Sequence, residues 1–289
     1  MLSSSPDPLP APVCAAGIPT DRSAIKEELP VYTKRDLIQN LRGLGVRPDD
    51  TLLVHSSMKA VGAVEGGADT VLDAFSEYLS DGLLILPTHT WSSINAAHPL
   101  YDPAVEPACV GILPNLFRQR PGVVRSLHPT HSLAARGRDA AAFVEGEELR
   151  ETACPRNGCY GRLYDRGAKI LFLGCRLTSN TYLHGVEEWC GVPERITDTY
   201  EQLYIRLPWG GTMERPMRRH YHPRGVDISG QYGKMEPAFL AKGIAHKGMV
   251  GDAVSTLCDA RGMADLTASY LQKDPDLFAK EEPLPEEWY

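Results

Sequence analysis

A histidine and a carboxylate lie three residues apart in the segment LFLGCRLTSNTYLHGVEEWCGVP (171–193), as His184 and Glu187. The segment begins as an apolar, strand-like run and continues through a polar loop into a predicted helix that Asn180 or Thr181 can cap. Positions i and i+3 share a helix face, so Glu187 can reach His184. The partial positive charge at a helix N-terminus disfavours imidazolium, which predicts a neutral His184 able to accept a proton. We predict a base with an orienting carboxylate, and an ordinary surface pair is the alternative.

A second polar group follows the first predicted strand, in VHSSMKAVGAVEGGADTV (54–71). Hydroxyl residues, then glycines, then a helix start can direct backbone N–H groups and hydroxyls at an anionic phosphate. The pattern is neither a Walker loop nor G-x-G-x-x-G. A plain turn between a strand and a helix is therefore the alternative interpretation.

A third group lies in RSLHPTHSLAARG (125–137), where Arg125, Ser126, His128, His131 and Ser132 precede a predicted strand. The guanidinium fork of the arginine suits a phosphate or a carboxylate. Two histidines three residues apart could ligate zinc, although a proline between them argues against one shared helix face. Loop histidines that bond only to the backbone are the structural alternative.

Strands and helices alternate around these groups. Helical spacing predicts a first helix that Thr33 caps and that ends at Gly43 or Gly45. A strand, an amphipathic helix and a fully apolar strand follow as a βαβ unit, and two further strands come later. This alternation predicts an α/β sandwich with at least partly parallel strands. The predicted strands are TLLVH (51–55), GLLILPTHT (82–90), SLAARG (132–137) and AKILFLG (168–174).

The remaining segments are less regular. Residues 91–121 predict a long loop with one short helix, residues 152–167 a turn-rich stretch, and residues 237–272 a mainly helical region. A polar, aromatic and basic insertion occupies the region near 205–235. We expect residues 1–30 to be a flexible Pro-rich leader and residues 31–289 to form a single α/β domain.

Composition excludes several classes of protein. A hydrophobic content of 43% and a charged content of 23% are ordinary for a soluble globular chain, and a net charge of −7 gives no general attraction for nucleic acid or anionic membranes. Seven scattered cysteines favour reduced thiols, and no signal peptide or membrane span is evident, so we predict a cytoplasmic protein. The sequence leaves a homodimer open.

The ordered set of segments resembles the antibiotic N-acetyltransferase family, of the aminoglycoside 3-N-acetyltransferase type. The resemblance runs from about Asp36 to about Leu266, and its specificity comes from the order of the pieces rather than from any one of them. The matching pieces are DLIQNLRGLGVRPDDTLLVHSSMKAVGAVEGGADTVLDAF, GLLILPTHTW, YDPAVEPACVGILPNLFRQRPGVVRSLHPTHSLAARG, GCYGRLYDRGAKILFLG, NTYLHGVEE and GMVGDAVSTLCDARGMADL.

This resemblance implies a three-layer α/β/α sandwich with a mixed sheet, acetyl-CoA as the acetyl donor, and direct transfer to a substrate amine, the 3-amino group of an aminoglycoside. The family's base and its paired glutamate match His184 and Glu187. The residues that the resemblance assigns to coenzyme A (CoA) are His55, Ser56, Ser57, Met58, Arg125, Ser126, His128 and Ser132.

The chemistry of acetyl transfer agrees with these assignments. An ammonium cannot attack a thioester, so a base must remove one proton and hydrogen-bond donors must stabilise the oxyanion. Backbone N–H groups, Thr181 or Ser57 are the candidate donors. The reaction needs no catalytic metal, so we predict none.

Other substrates and one other reaction remain open. The basic run RPMRRHYHPR (215–224) would repel a polycationic aminoglycoside if it faced the cleft, and would otherwise lie outside or contact the CoA 3′-phosphate. The first alternative is therefore an N-acetyltransferase for a different, biosynthetic amine. The second is a zinc-dependent hydrolase that uses His128, His131 and either His55 or His89.

Overall fold

A seven-stranded mixed sheet runs through the centre of the protein. The computed structural model describes residues 30–289. Within them the strands are β1 (Val31–Tyr32), β2 (Thr51–Ser56), β3 (Ala63–Val64), β4 (Leu83–Pro87), β5 (Leu100–Tyr101), β6 (Val124–Arg125), β7 (Leu133–Gly137), β8 (Lys169–Leu173), β9 (Tyr204–Arg206), β10 (Thr212–Glu214), β11 (Ala245–Val250) and β12 (Ala253–Asp259).

The helices cover the two faces of this sheet. They are α1 (Lys34–Gly43), α2 (Gly67–Tyr78), α3 (Ile112–Phe117), α4 (Ala140–Val144), α5 (Cys159–Arg166), α6 (Thr181–Trp189), α7 (Glu236–Ala241) and α8 (Ala260–Lys273). Short 3₁₀ turns at Met58–Val61, Glu147–Leu149, Leu177–Ser179, Ser229–Met235, Leu277–Ala279 and Glu286–Trp288 complete the regular structure.

The large sheet has the strand order β11-β12-β8-β2-β4-β7-β6. Strand β2 pairs in parallel with β4 and β8, whereas β12 and β7 join these strands antiparallel. The three parallel strands therefore end at one edge of the sheet, which is where ligands bind in open α/β sheets.

Alternating burial along the strands separates two apolar layers. Leu52 and Val54 of β2 pack with Leu37 of α1 on one face. Leu53 between them packs on the other face, in the cluster that contains Leu183 of α6. Successive strand side chains point to opposite faces, so each central strand contributes to both layers. The predicted α/β/α sandwich with a mixed sheet is confirmed.

The most regular predicted elements are confirmed. Thr33 caps α1 through a capping box, in which its Oγ1 accepts from Asp36 N at 3.3 Å and the Asp36 carboxylate accepts from Thr33 N at 2.9 Å. The four predicted strands correspond to β2, β4, β7 and β8.

Two local predictions are wrong. Residues 237–272 are not mainly helical, because β11 and β12 form an antiparallel hairpin there and β12 pairs with β8. The turn-rich stretch 152–167 contains helix α5, which ends at Gly167 in the left-handed region. In both cases, packing against the sheet and its helices has a larger effect on the secondary structure than the local composition has.

The polar insertion is built into the fold. It contains β9 and β10, and β9 also pairs with β5. Several of its side chains are buried, Met217 and Tyr232 among them. The insertion therefore forms part of the interior as well as the surface.

Residues Val31–Tyr289 form one compact unit. The predicted leader, apart from Pro30, lies outside the described residues. No helix in the described part of the chain combines the length and apolar character that crossing a membrane requires.

Candidate active site

A cavity of about 660 Å³ lies at the edge where β2, β4 and β8 end. Its wall combines six parts of the chain: the end of β2, the segment after β4, the residues around the start of α3, the segment before β7, the start of α6, and the insertion. The lining residues are His55, Ser56, Pro87, His89, Trp91, Val110, Pro114, His131, Thr178, Ser179, Thr181, His184, Arg219, His220, Tyr221, Val226, Asp227, Ile228 and Ser229.

Helix α6 places two predicted catalytic residues on this wall. Asn180 occupies the N-cap position, although its side chain makes no capping hydrogen bond. Thr181 is the first helical residue, and His184 follows one turn later on the same face. The helix ends at Trp189 before Gly191, which has a φ of 62°. The predicted helix after β8 is thus present, and both residues line the cavity.

Tyr232 lies between His184 and Glu187. The Tyr232 hydroxyl donates to Glu187 Oε2 at 2.6 Å, and its oxygen is also 2.6 Å from His184 Nδ1. His220 adds a second contact to the same ring nitrogen, with 2.9 Å between the two Nδ1 atoms. The direct contact that the i+3 spacing suggested is therefore replaced by a bridge through Tyr232.

Glu187 is also paired with Arg195 in the interior. Arg195 Nε donates to Glu187 Oε1 at 2.7 Å, and the two side chains are only 1% and 0% exposed. The pKa of Glu187 is raised on balance, because burial raises it more than the hydrogen bonds from Tyr232 and Arg195 lower it. The guanidinium compensates the carboxylate charge inside the protein, since a buried charge needs a partner.

His184 is half-buried, and its removal from water keeps it neutral. Burial lowers its pKa to about 3, and the nearby His89 lowers it further. The position of His184 in the first turn of a helix predicted the same neutrality from the partial positive charge of the helix N-terminus. In the structure, desolvation is the dominant cause. Burial likewise lowers the pKa of His55 to about 4, and those of His89, His131 and His220 well below the ordinary value. All five histidines in the wall are thus uncharged near neutral pH.

The predicted CoA loop divides into two pairs. His55 and Ser56 line the cavity. Ser57 instead donates its backbone N–H to the Leu173 carbonyl at 2.8 Å, and Met58 packs against the apolar layer of α1 and α2. All four remain CoA-binding candidates, with the first pair facing the space.

Arg125 and Ser132 bond within the protein. The Arg125 guanidinium donates to the carbonyl oxygens of Thr88, Pro103 and Glu106 at 2.8, 3.1 and 2.6 Å. Ser132 Oγ donates to the Thr88 carbonyl at 2.7 Å. A bond from Arg125 to a CoA phosphate would replace bonds that already hold the loop, so that role stays a prediction.

Ser126 and His128 are buried among backbone groups. Ser126 Oγ accepts from Leu133 N at 3.0 Å. His128 Nε2 bonds to the Thr152 carbonyl at 2.8 Å, while its Nδ1 accepts from His131 N at 2.9 Å. His128 is therefore a loop histidine that bonds to the backbone, which was the structural alternative. Of the two histidines in residues 125–137, His131 lines the cavity.

The proposed zinc set does not come together. Both ring nitrogens of His128 bond to the backbone, which leaves it unsuited as a ligand. Among the described residues, the group whose ligand atoms lie within 4.8 Å of one another is His184, Glu187 and His220. That group differs from the set on which the hydrolase interpretation rested.

Sequence reasoning missed three residues of the site: Arg195, His220 and Tyr232. They follow His184 by 11, 36 and 48 positions along the chain. His220 lies within the basic run 215–224, whose residue types indicate a charged surface rather than a partner for His184. Only the folded insertion brings these side chains to α6.

Comparisons with known proteins identify the family of the chain. The profile of the aminoglycoside 3-N-acetyltransferase family matches residues 53–272. Aminoglycoside N(3)-acetyltransferase VII of Streptomyces paromomycinus is 31% identical over 83% of this chain and 92% of its own length. Aminoglycoside N(3)-acetyltransferase III of Acinetobacter baumannii is 30% identical over 84% of this chain and 92% of its own.

Solved structures share the fold. AAC-IIIb in a binary complex with CoASH is 25% identical, with a TM-score of 0.75 and coverage of 89% of this chain and 100% of the other. A histidine-to-alanine mutant of the aminoglycoside acetyltransferase AAC(3)-IVa, in complex with a gentamicin, is 25% identical, with a TM-score of 0.76 and coverage of 88% and 93%. From the profile match and these relatives, the chain belongs to the aminoglycoside 3-N-acetyltransferase family.

Proposed function

We propose that the protein transfers an acetyl group from acetyl-CoA to the 3-amino group of an aminoglycoside, with His184 as the general base. The observation that carries this proposal is the position of His184, which is neutral and lines the cavity at the sheet edge. Relatives named as aminoglycoside N(3)-acetyltransferases, and related structures with CoASH and with a gentamicin, support the two substrates.

The reaction is a direct transfer. His184 takes a proton from the substrate amine, and the nitrogen lone pair attacks the thioester carbonyl carbon. The new C–N bond forms as the C=O becomes an oxyanion. The oxyanion then returns to C=O as the C–S bond breaks, and the CoA sulfur leaves as a thiolate that takes up the proton held by His184. This sequence needs acetyl-CoA as donor and no metal.

Thr181 is the proposed oxyanion donor. It lines the cavity one helical turn before His184, so its hydroxyl and the base lie on one face of α6. A donor held in this position stabilises the charge that develops on the acetyl oxygen. His55 and Ser56, at the end of β2, are the proposed contacts for the CoA end of the donor.

The charge of the cavity wall favours a second candidate substrate, an amine with few positive charges. The charged lining residues are Arg219 and Asp227, and Arg219 is already paired with Glu201. A polycationic aminoglycoside would find one carboxylate in the lining, that of Asp227, for its several positive charges. A compact monoamine carries one positive charge, which one carboxylate can balance. The basic run thus contributes Arg219 to the wall, and its neighbour Arg218 lies 3.8 Å from Asp198.

Release of free CoA thiol from acetyl-CoA tests the proposal, with gentamicin, sisomicin and glucosamine as acceptors. We expect mono-acetylated aminoglycoside, and we expect His184→Ala to lower kcat about 10²-fold or more with unchanged acetyl-CoA binding. His246→Ala is the matched control, because His246 is exposed on β11. If glucosamine is the only acceptor that turns over, the substrate is an amine with few positive charges rather than an aminoglycoside. A near-wild-type kcat in His184→Ala would show that His184 is not the base.

We also propose a cytoplasmic location. The described cysteines Cys109, Cys154, Cys159, Cys175, Cys190 and Cys258 are free thiols, as in a reducing compartment. The single domain over residues 31–289 and a homodimer remain predictions.

A further inference from the structure

We propose that Tyr232 and His220 are positioning residues that hold His184 with its proton on Nδ1, so that Nε2 is the basic nitrogen. The inference rests on the proposed role of His184 as the base. Both residues come from the polar insertion, which would thereby complete the catalytic machinery of α6.

The proton of Tyr232 is assigned by its acceptor. The hydroxyl has one proton and lies 2.6 Å from both Glu187 Oε2 and His184 Nδ1. An ionised carboxylate only accepts hydrogen bonds, and Arg195 at 2.7 Å favours that ionised state. Tyr232 therefore donates to Glu187, and its oxygen presents a lone pair to His184.

The proton of His220 is assigned in the same way. Its Nε2 lies 3.2 Å from the His184 carbonyl oxygen, which can only accept, so this nitrogen carries the proton. Burial lowers the pKa of His220 well below its ordinary value, so its other nitrogen is bare. That Nδ1 lies 2.9 Å from His184 Nδ1 and also presents a lone pair.

Two acceptors thus converge on His184 Nδ1. Only a protonated Nδ1 satisfies both, and a neutral imidazole has a single proton, so Nε2 keeps its lone pair. His184 lines the cavity, where this second nitrogen is available to the substrate amine. After proton transfer, the Nδ1–H of His184 already donates to the Tyr232 hydroxyl oxygen, which itself donates to the Glu187 carboxylate. The imidazolium is therefore stabilised without rearrangement.

Tyr232→Phe tests this assignment, with Tyr182→Phe as a matched control. Both tyrosines are fully buried, but the Tyr182 hydroxyl donates to the Ala260 carbonyl at 3.0 Å, away from His184. We expect Tyr232→Phe to lower kcat about 10- to 100-fold with little change in KM. Tyr182→Phe should keep the wild-type kcat. An equal loss in both variants would show a general packing effect and overturn the proposal.

Nitrogen-15 NMR of histidine-labelled protein reads the tautomer directly. The wild-type His184 should show a protonated Nδ1 and a bare Nε2, and Tyr232→Phe should shift it towards a mixture. A wild-type Nε2–H form would overturn the proposal without any variant. The spectrum requires no turnover, so a failure of the acetyltransferase function and a failure of this assignment are distinguishable.

His220→Ala tests the second acceptor. We expect a smaller loss of kcat than in Tyr232→Phe, because the contact is longer and is not tied to Glu187. An unchanged kcat together with an unchanged tautomer would remove His220 from the proposal.

Discussion

At the scale of single residues, Arg125 joins segments that are far apart in sequence. Its guanidinium bonds to carbonyl oxygens of Thr88, Pro103 and Glu106, and it lies 5.2 Å from the centre of the Tyr101 ring. Burial lowers its pKa, as expected for a cation removed from water. These contacts hold the long loop after β4 against the sheet.

Replacing Arg125 by alanine should therefore destabilise the protein. We expect a loss of about 2–4 kcal/mol in the free energy of unfolding, because several carbonyl groups lose a charged donor. Urea denaturation measures this loss, and Arg138→Ala, at an exposed position after β7, is the control. Unchanged stability with a raised KM for acetyl-CoA would instead return Arg125 to the predicted role at the CoA phosphate.

At the scale of elements, the β11–β12 hairpin depends on Gly251. Val250 pairs with Ala253, which leaves Gly251 and Asp252 as a two-residue turn. Gly251 has a φ of 58°, as favoured hairpin turns require at the first central position. A Cβ there would lie 2.3 Å from the Val61 carbonyl oxygen.

Gly251→Ala should lower the free energy of unfolding by about 2 kcal/mol or more, because it combines backbone strain with a collision against main chain. Gly43→Ala at the end of α1 is the control, since an added Cβ meets nothing within 4 Å there. Thermal or urea denaturation of both variants measures the difference. Equal stability of the two variants would show that the turn accommodates a side chain.

Elements with strong local signals could be predicted from the sequence. The capping pattern at Thr33 and the apolar runs of β2, β4 and β8 act over a few residues, and their periods match their structures. The hairpin was missed although Gly251–Asp252 is a turn signal, because the flanking segments lack continuous apolar character. Its pairing with β8 comes from a distant part of the chain.

The site was predictable where its residues share one helix. Thr181 and His184 follow from spacing after β8. The partners of His184 do not, because Tyr232 and His220 reach α6 only through the fold of the insertion. Conversely, His128 looked reactive by residue type, whereas its backbone bonds satisfy both nitrogens. Spacing predicts neighbours on one element, and it carries little information about contacts between elements.

At the scale of the whole molecule, the cavity gathers five histidines, of which two are buried and three are half-buried. His55, His89, His131, His184 and His220 converge there from β2, the segment after β4, the segment before β7, α6 and the insertion. Burial lowers the pKa of each, and that of His128 to about 4. The fold therefore keeps a base uncharged at neutral pH. The same desolvation lowers the free energy of unfolding at acid pH.

This arrangement predicts that stability falls as pH drops below about 6.5, the ordinary histidine pKa. Below about pH 6.5 the histidines of the unfolded chain bind protons. In the folded protein, His55 binds a proton only near pH 4 and His184 only near pH 3. As pH falls through that window, each such histidine lowers the free energy of unfolding by up to about 1.4 kcal/mol per pH unit. Urea denaturation at pH 7.5, 6.5 and 5.5 should show a steep decline, above the range in which ordinary carboxyl groups titrate. His55→Phe, which replaces a ring stacked on Phe172, should reduce the slope by one proton. A flat profile between pH 7.5 and 5.5 would mean that water or movement of the wall lets these histidines protonate in the folded state.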